Sequence, residues 1–115
     1  MKLVPCPLSY VHSVYPLWYN KDAFYYTVTV ARGGVGLYAI KPLGSDTCEI
    51  SLLAHVPFLT KERCHALIEY PFKMGFKNVI IGTKLRGIIA LQARFGFKDM
   101  GCDNVGKHWF IREGK

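Results

Sequence analysis

Glu49 and His55 are the side chains of this 115-residue sequence best suited by type and spacing to move protons. Both fall in the run 48–56, CEISLLAHV, which is rich in strand-forming residues. Side chains of a strand alternate between its two faces. Glu49, Ser51, Leu53 and His55 therefore share one face, and Cys48, Ile50, Leu52, Ala54 and Val56 share the other. A carboxylate and an imidazole on one strand face form a candidate general-base pair. The competing structural role is a solvated carboxylate at a strand start and a histidine hydrogen-bonded to the next loop.

Other constellations are weaker. His55, Cys64, His65 and His108 match no zinc-ligand spacing, and Cys64 falls on the apolar face of a helix. A Cys–His nucleophilic pair drawn from the same residues lacks an identifiable third group to orient the imidazole. The sequence has neither a Walker loop nor a G-x-G-x-x-G fingerprint, and Gly33-Gly34 reads as a hairpin turn. Tyr25, Tyr26 and Tyr38, with Trp18 and Tyr19, would stack on bases in a single-strand binder. Sheet packing explains them more simply, and no RNP-type signature accompanies them.

Fifteen Lys and Arg against eight Asp and Glu give a net charge of +7. This balance favours anionic partners: phosphate-bearing cofactors, acidic proteins or nucleic acid. The cations are scattered, in groupings such as Lys61 and Arg63, Lys84 and Arg86, and Lys107 and Arg112, with no run of four or more. Cys6, Cys48, Cys64 and Cys102 form no C-x-x-C pair. Without a signal-like apolar run at the start, they read as reduced cytosolic thiols, mostly core filler. No apolar stretch approaches the roughly 20 residues that span a bilayer. The expectation is one cytoplasmic domain over residues 1–115, with no membrane segment and no metal.

The elements that must position Glu49 and His55 follow from pattern. Residues 1–6 suggest an edge strand, limited by Pro5 and Pro7. Residues 8–18 have helical spacing, broken by Pro16. FYYTVTVA (24–31) and VGLYAIK (35–41) read as a hairpin turning at Arg32-Gly33-Gly34. Pro42 to Asp46 is a second turn, and 48–56 is the third long strand. Thr60 suits a helix N-cap, with Glu62 in the first turn. Cys64, Leu67, Ile68 and Phe72 would form that helix's apolar face, with Pro71 expected to kink or end it. Residues 77–81 make a short strand. Gly82-Thr83 is expected to open a second helix with Leu85, Ile88, Ile89 and Phe95 on its apolar face, stopped by Gly96. KHWFIR (107–112) is a last strand. The class is α/β, with hairpins at one end of the sheet and crossovers at the other.

This order resembles the GNAT (N-acetyltransferase) superfamily. VIIGTKLRGIIALQARFGF (79–97), closing in Phe95-Gly96-Phe97, looks like the family's fifth strand, following helix and "L-G-F". Residues 49–76 look like its fourth strand and acyl-CoA-binding helix. In size and sequence the chain is most similar to short phage-encoded GNAT-like proteins, which would place it in a host cytoplasm or a virion.

The resemblance implies a mixed, mostly antiparallel sheet with splayed central strands flanked by helices, and acetyl-CoA as co-substrate. It implies pyrophosphate on amides of Leu59, Thr60, Lys61, Glu62, Arg63 and Cys64, and the acetyl carbonyl near an amide of Leu53, Ala54 or His55. It implies Glu49 or His55 as base, and an amine of a protein or small molecule as acceptor. The short region 8–23 would leave that cleft open. Residues 59–64 carry none of the glycines usual in the family's phosphate loop. Gln92 stands where a general-acid tyrosine is usual, and Leu85 aligns with a usual asparagine. The alternative reading is a catalytically degenerate GNAT-fold binding or virion-associated module.

Overall fold

Leu37, Tyr38, Ala39 and Ile40 are four successive strand residues, and all are buried. A strand buries consecutive side chains only when both faces of its sheet are covered, and this requirement organises the architecture. The computed structural model describes residues 2–29, 35–53, 60–84 and 93–114. Its elements are β1 (Lys2–Pro5), α1 (Leu8–Val14), β2 (Phe24–Thr29), β3 (Val35–Pro42), β4 (Thr47–Leu53), α2 (Lys61–Lys73), β5 (Asn78–Thr83), a 3-10 turn (Ala93–Phe95), β6 (Lys98–Cys102) and β7 (His108–Glu113). The strands form one sheet in the order β1-β2-β3-β4-β5-β7-β6. All neighbours are antiparallel except β4 and β5.

One face carries the larger core. Val28, Tyr38, Ile40, Cys48, Ile50, Val79 and Phe110 pack there with Leu67 and Ile68 of α2 and with Phe97. On the other face Val11 of α1 packs with Ala23, Tyr25, Leu37 and Ala39. Tyr25 donates to the Trp18 carbonyl at 2.5 Å and accepts from the Asn20 amide at 2.8 Å, tying the segment before β2 to the sheet. Tyr25 and Tyr38 are thus packing residues on opposite faces, not a stacking platform. α1 is shorter than the spacing of 8–18 suggests. It ends at Val14, and Leu8, Val14 and Tyr15 are exposed while Val11 is fully buried.

α2 runs two residues beyond Pro71, where the sequence predicts a kink or an end. Proline has no N–H, so the carbonyl of Leu67, four residues earlier, loses its helical partner. The hydroxyl of Tyr38 replaces it, donating to the Leu67 oxygen at 2.6 Å in the core. Burial pushes the Tyr38 hydroxyl far above the usual phenol range, so it stays a donor. An ion pair between Arg112 of β7 and Glu69 anchors another side of α2.

Two further differences concern the region after α2. Gly82 and Thr83, expected to open a helix, continue β5 and pair with Trp109 and His108. A Cβ at Gly82 would lie 2.8 Å from the Trp109 ring and 2.6 Å from the Lys107 side chain, so this strand position needs glycine. β6 is an additional strand whose five residues are all exposed; it forms by pairing with β7. Gly96, with φ +81°, follows the 3-10 turn as the expected stop. The predicted turn at 32–34 and the predicted helical residues 85–92 lie outside the described residues.

The Tyr38–Leu67 contact makes a testable claim about stability. Tyr38→Phe leaves a buried carbonyl unpaired and is expected to cost about 1–3 kcal/mol in urea unfolding. In a Pro71→Ala background, where an amide can reach Leu67, the same change is expected to cost less. Equal losses in both backgrounds would show that the hydroxyl is not the substitute for the missing amide.

Candidate active site

The parallel pairing of β4 and β5 covers only Thr47↔Asn78, Cys48↔Val79 and Glu49↔Ile80. β4 continues to Leu53 and β5 to Thr83, so beyond Glu49 and Ile80 the two strands run on without pairing. Each remains held on its outer side, β4 by β3 and β5 by β7. The result is a notch in the pairing of the sheet, on the side of the C-terminal ends of the parallel pair. Ligands of α/β sheets commonly bind at the carboxyl ends of parallel strands.

Glu49 sits at the apex of this notch, half-buried and opposite Ile80. Cys48 and Ile50 belong to the α2-side core. Strand alternation therefore sends Glu49 and Ser51 to the opposite side, the face that α1 covers. The expected sharing of a face by Glu49 and Ser51 follows this geometry. The backbone of Leu53 ends β4, while Ala54, His55 and Leu59 lie outside the described residues.

The first turn of α2 lies on the other side of the sheet. Thr60 caps it: its Oγ1 accepts from the Arg63 amide at 3.2 Å, and its carbonyl accepts from the Cys64 amide at 3.0 Å. The N-terminal amides and dipole of a helix favour an anion there. Thr60, Lys61 and Glu62 are exposed, and Arg63 and Cys64 half-buried. Burial raises the Cys64 thiol above its ordinary value, which disfavours the thiolate that a nucleophile requires. His65 lies edge-on to Phe95, with ring centroids 5.0 Å apart. Among the described residues no three His, Cys, Asp or Glu side chains are placed to hold a metal ion. None of the helices there is long and apolar enough to cross a membrane.

The β5 side of the notch brings in residues outside the sequence-based candidates. Trp109 covers Gly82 on the Glu49 face. Its indole N–H donates to Asp103 Oδ2 at 3.0 Å, and Lys107 Nζ lies 4.7 Å from the ring centroid. The available signal was Gly82 itself, since a glycine inside a strand pattern marks close approach by a neighbour.

No protein-family model and no curated protein matches the sequence. Solved structures do resemble the fold. A GNAT family acetyltransferase from Elizabethkingia anophelis, with acetyl-CoA bound, superposes with a TM-score of 0.72 at 17% identity, covering 98% of this chain and 97% of that one. A Bacillus subtilis acetyltransferase in complex with CoA gives 0.71 at 16% identity, covering 99% and 100%. A variant of the Vibrio cholerae spermidine N-acetyltransferase SpeG gives 0.71 at 12% identity, covering 98% and 95%. The chain has the mixed, mostly antiparallel α/β fold of GNAT acetyltransferases.

Two measurements test this local description. Thr60→Ala removes the cap and is expected to cost about 1 kcal/mol in urea unfolding. Because burial raises the Cys64 thiol, its thiolate is scarcer at a given pH when the chain is folded. Alkylation of Cys64 by iodoacetamide at pH 8 is expected to be several-fold slower in the native protein than in urea, with the native rate climbing as pH rises. Equal rates would remove the burial argument.

Proposed function

We propose that the chain is an acetyl-CoA-dependent N-acetyltransferase that transfers an acetyl group to an amine of a protein or small molecule. The observation that carries this reading is the three-pair contact of β4 and β5, with an acidic side chain at its apex and a helix N-terminus on the opposite side. A thioester cofactor threaded through that gap would have its pyrophosphate near Thr60–Cys64 and its acyl end near the end of β4. The solved structures of this fold with acetyl-CoA or CoA bound support the same assignment.

Each residue has a definite task in this reading. Amides of residues 59–64 bind pyrophosphate, and Lys61 and Arg63 add positive charge. An amide among Leu53, Ala54 and His55 polarises the acetyl carbonyl. The acceptor amine approaches from the α1 face and attacks the thioester carbon directly. Glu49, or His55, removes its proton. Glu49 and Leu53 lie four strand steps apart, about 13 Å at roughly 3.3 Å per residue, so Glu49 acts through intervening water. The tetrahedral intermediate then expels the CoA thiolate. The net charge of +7 favours an acceptor whose amine sits on an acidic molecule.

A second reading rests on a specific feature. Residues 59–64 contain no glycine, and Gln92 replaces the family's usual tyrosine. These departures suit a GNAT-fold module that binds a partner without catalysis.

Calorimetry with acetyl-CoA separates the two, using desulfo-CoA and ATP as controls. The enzyme reading expects micromolar affinity specific to the CoA ligands; absence of binding at millimolar concentration would overturn it and favour the binding module. In amine-acetylation assays Glu49→Gln is expected to lower kcat by about 10²–10⁴-fold, with acetyl-CoA affinity unchanged. Unaltered kcat would transfer the base role to His55.

A further inference from the structure

The β6–β7 hairpin assembles three chemically matched side chains that are separate from the proposed transferase machinery. His108 Nε2 lies 2.5 Å from Asp99 Oδ1, and its Nδ1 lies 3.4 Å from Cys102 Sγ. An ionised carboxylate only accepts hydrogen bonds, so Asp99 holds the imidazole proton on Nε2. The Nδ1 lone pair is then directed at the thiol. Hydrogen bonds from the Gly101 amide and from His108 hold the Asp99 carboxyl below the usual carboxylate range. The His108 ring also stacks on Phe110, with centroids 4.7 Å apart and planes 11° from parallel.

An irregularity in the ladder creates this arrangement. Lys98↔Ile111 and Asp99↔Phe110 set a register that would continue to Met100↔Trp109 and Gly101↔His108. The observed pairs are instead Gly101↔Trp109 and Cys102↔His108. The extra residue, a β-bulge, puts Cys102 directly across from His108. Cys102 is exposed, so a reagent can reach the sulfur. The His108 side chain is 19% exposed and that of Asp99 59%.

We propose that Cys102, His108 and Asp99 form a nucleophilic thiol centre that accepts an acyl group from an activated ester or thioester. The thiol proton passes to His108 Nδ1 as the sulfur electron pair forms a bond to the acyl carbon. Collapse of the tetrahedral intermediate breaks the bond to the leaving oxygen or sulfur, which takes the proton from His108. The products are a Cys102 thioester and a free alcohol or thiol. Asp99 is a positioning residue: it fixes the imidazole tautomer and stabilises the transient imidazolium.

The test uses the full chain with 4-nitrophenyl acetate and acetyl-CoA in parallel, so that ester and thioester donors are distinguished. Peptide mass mapping locates the acetyl group, and nitrophenolate or CoA release gives the rate. The expected result is acetylation of Cys102 by at least one donor, absent in Cys102→Ser and slower by about 10²-fold in His108→Gln. Asp99→Asn should slow the reaction, and Asp99→Glu should restore part of the rate. A comparison that needs no substitution is the native against the urea-unfolded chain, where the native Cys102 should react faster by about tenfold or more. Acetylation by neither donor, or a native rate no higher than that of His108→Gln or of the unfolded chain, overturns the proposal.

Discussion

The hydrogen bond from Tyr38 to the carbonyl of Leu67 joins the centre of the sheet to the middle of α2. It answers a defect built into the sequence, because Pro71 cannot supply the amide that a helix needs at that point. An unpaired carbonyl in this core would oppose burial of α2. With the tyrosine in place, α2 keeps its last turn and lays Leu67 and Ile68 on Ile40, Cys48, Ile50 and Val79. The position of α2 in turn determines where Thr60 and its amides stand relative to the ends of β4 and β5.

The notch follows from divided loyalties of two strands. β4 is paired with β3 over six positions from Leu37↔Leu53 to Pro42↔Cys48, and β5 is paired with β7 over its full length. Only three positions join β4 to β5. The opening therefore lies between two strands that are each stiffened from outside. It separates a helix N-terminus on one face from a carboxylate on the other. Strand alternation, which puts Cys48 into the core, is the same constraint that turns Glu49 away from it.

The hairpin beyond β5 uses irregularity in a different way. Gly82 makes room for Trp109, whose indole is held by Asp103. One strand farther out, the bulge between Asp99 and Gly101 changes which residue faces His108. Of the four cysteines, Cys48 is fully buried, and burial pushes its thiol up to about 12. Cys102 is the exposed one, the exception to cysteines expected to be mostly core filler, because it lies on the edge strand β6, whose five residues are all exposed.

The sequence by itself determined the elements whose signals are local. Alternation and β-branched or aromatic residues located β2, β3 and β4, the N-cap chemistry of Thr60 located the start of α2, and the face shared by Glu49 and Ser51 followed from strand period alone. These features depend on a residue and its near neighbours. The continuation of α2 through Pro71, the extension of β5 through Gly82, the existence of β6 and the meeting of Cys102 with His108 were decided by tertiary structure. Each depends on a partner distant in the chain or on a register: Tyr38 for Pro71, Trp109 for Gly82, the free edge of β7 for β6, and one extra residue for the thiol–imidazole pair. Local propensity opposes or is silent on all four, because the compensating hydrogen bond, ring or strand edge exists only after the sheet has formed.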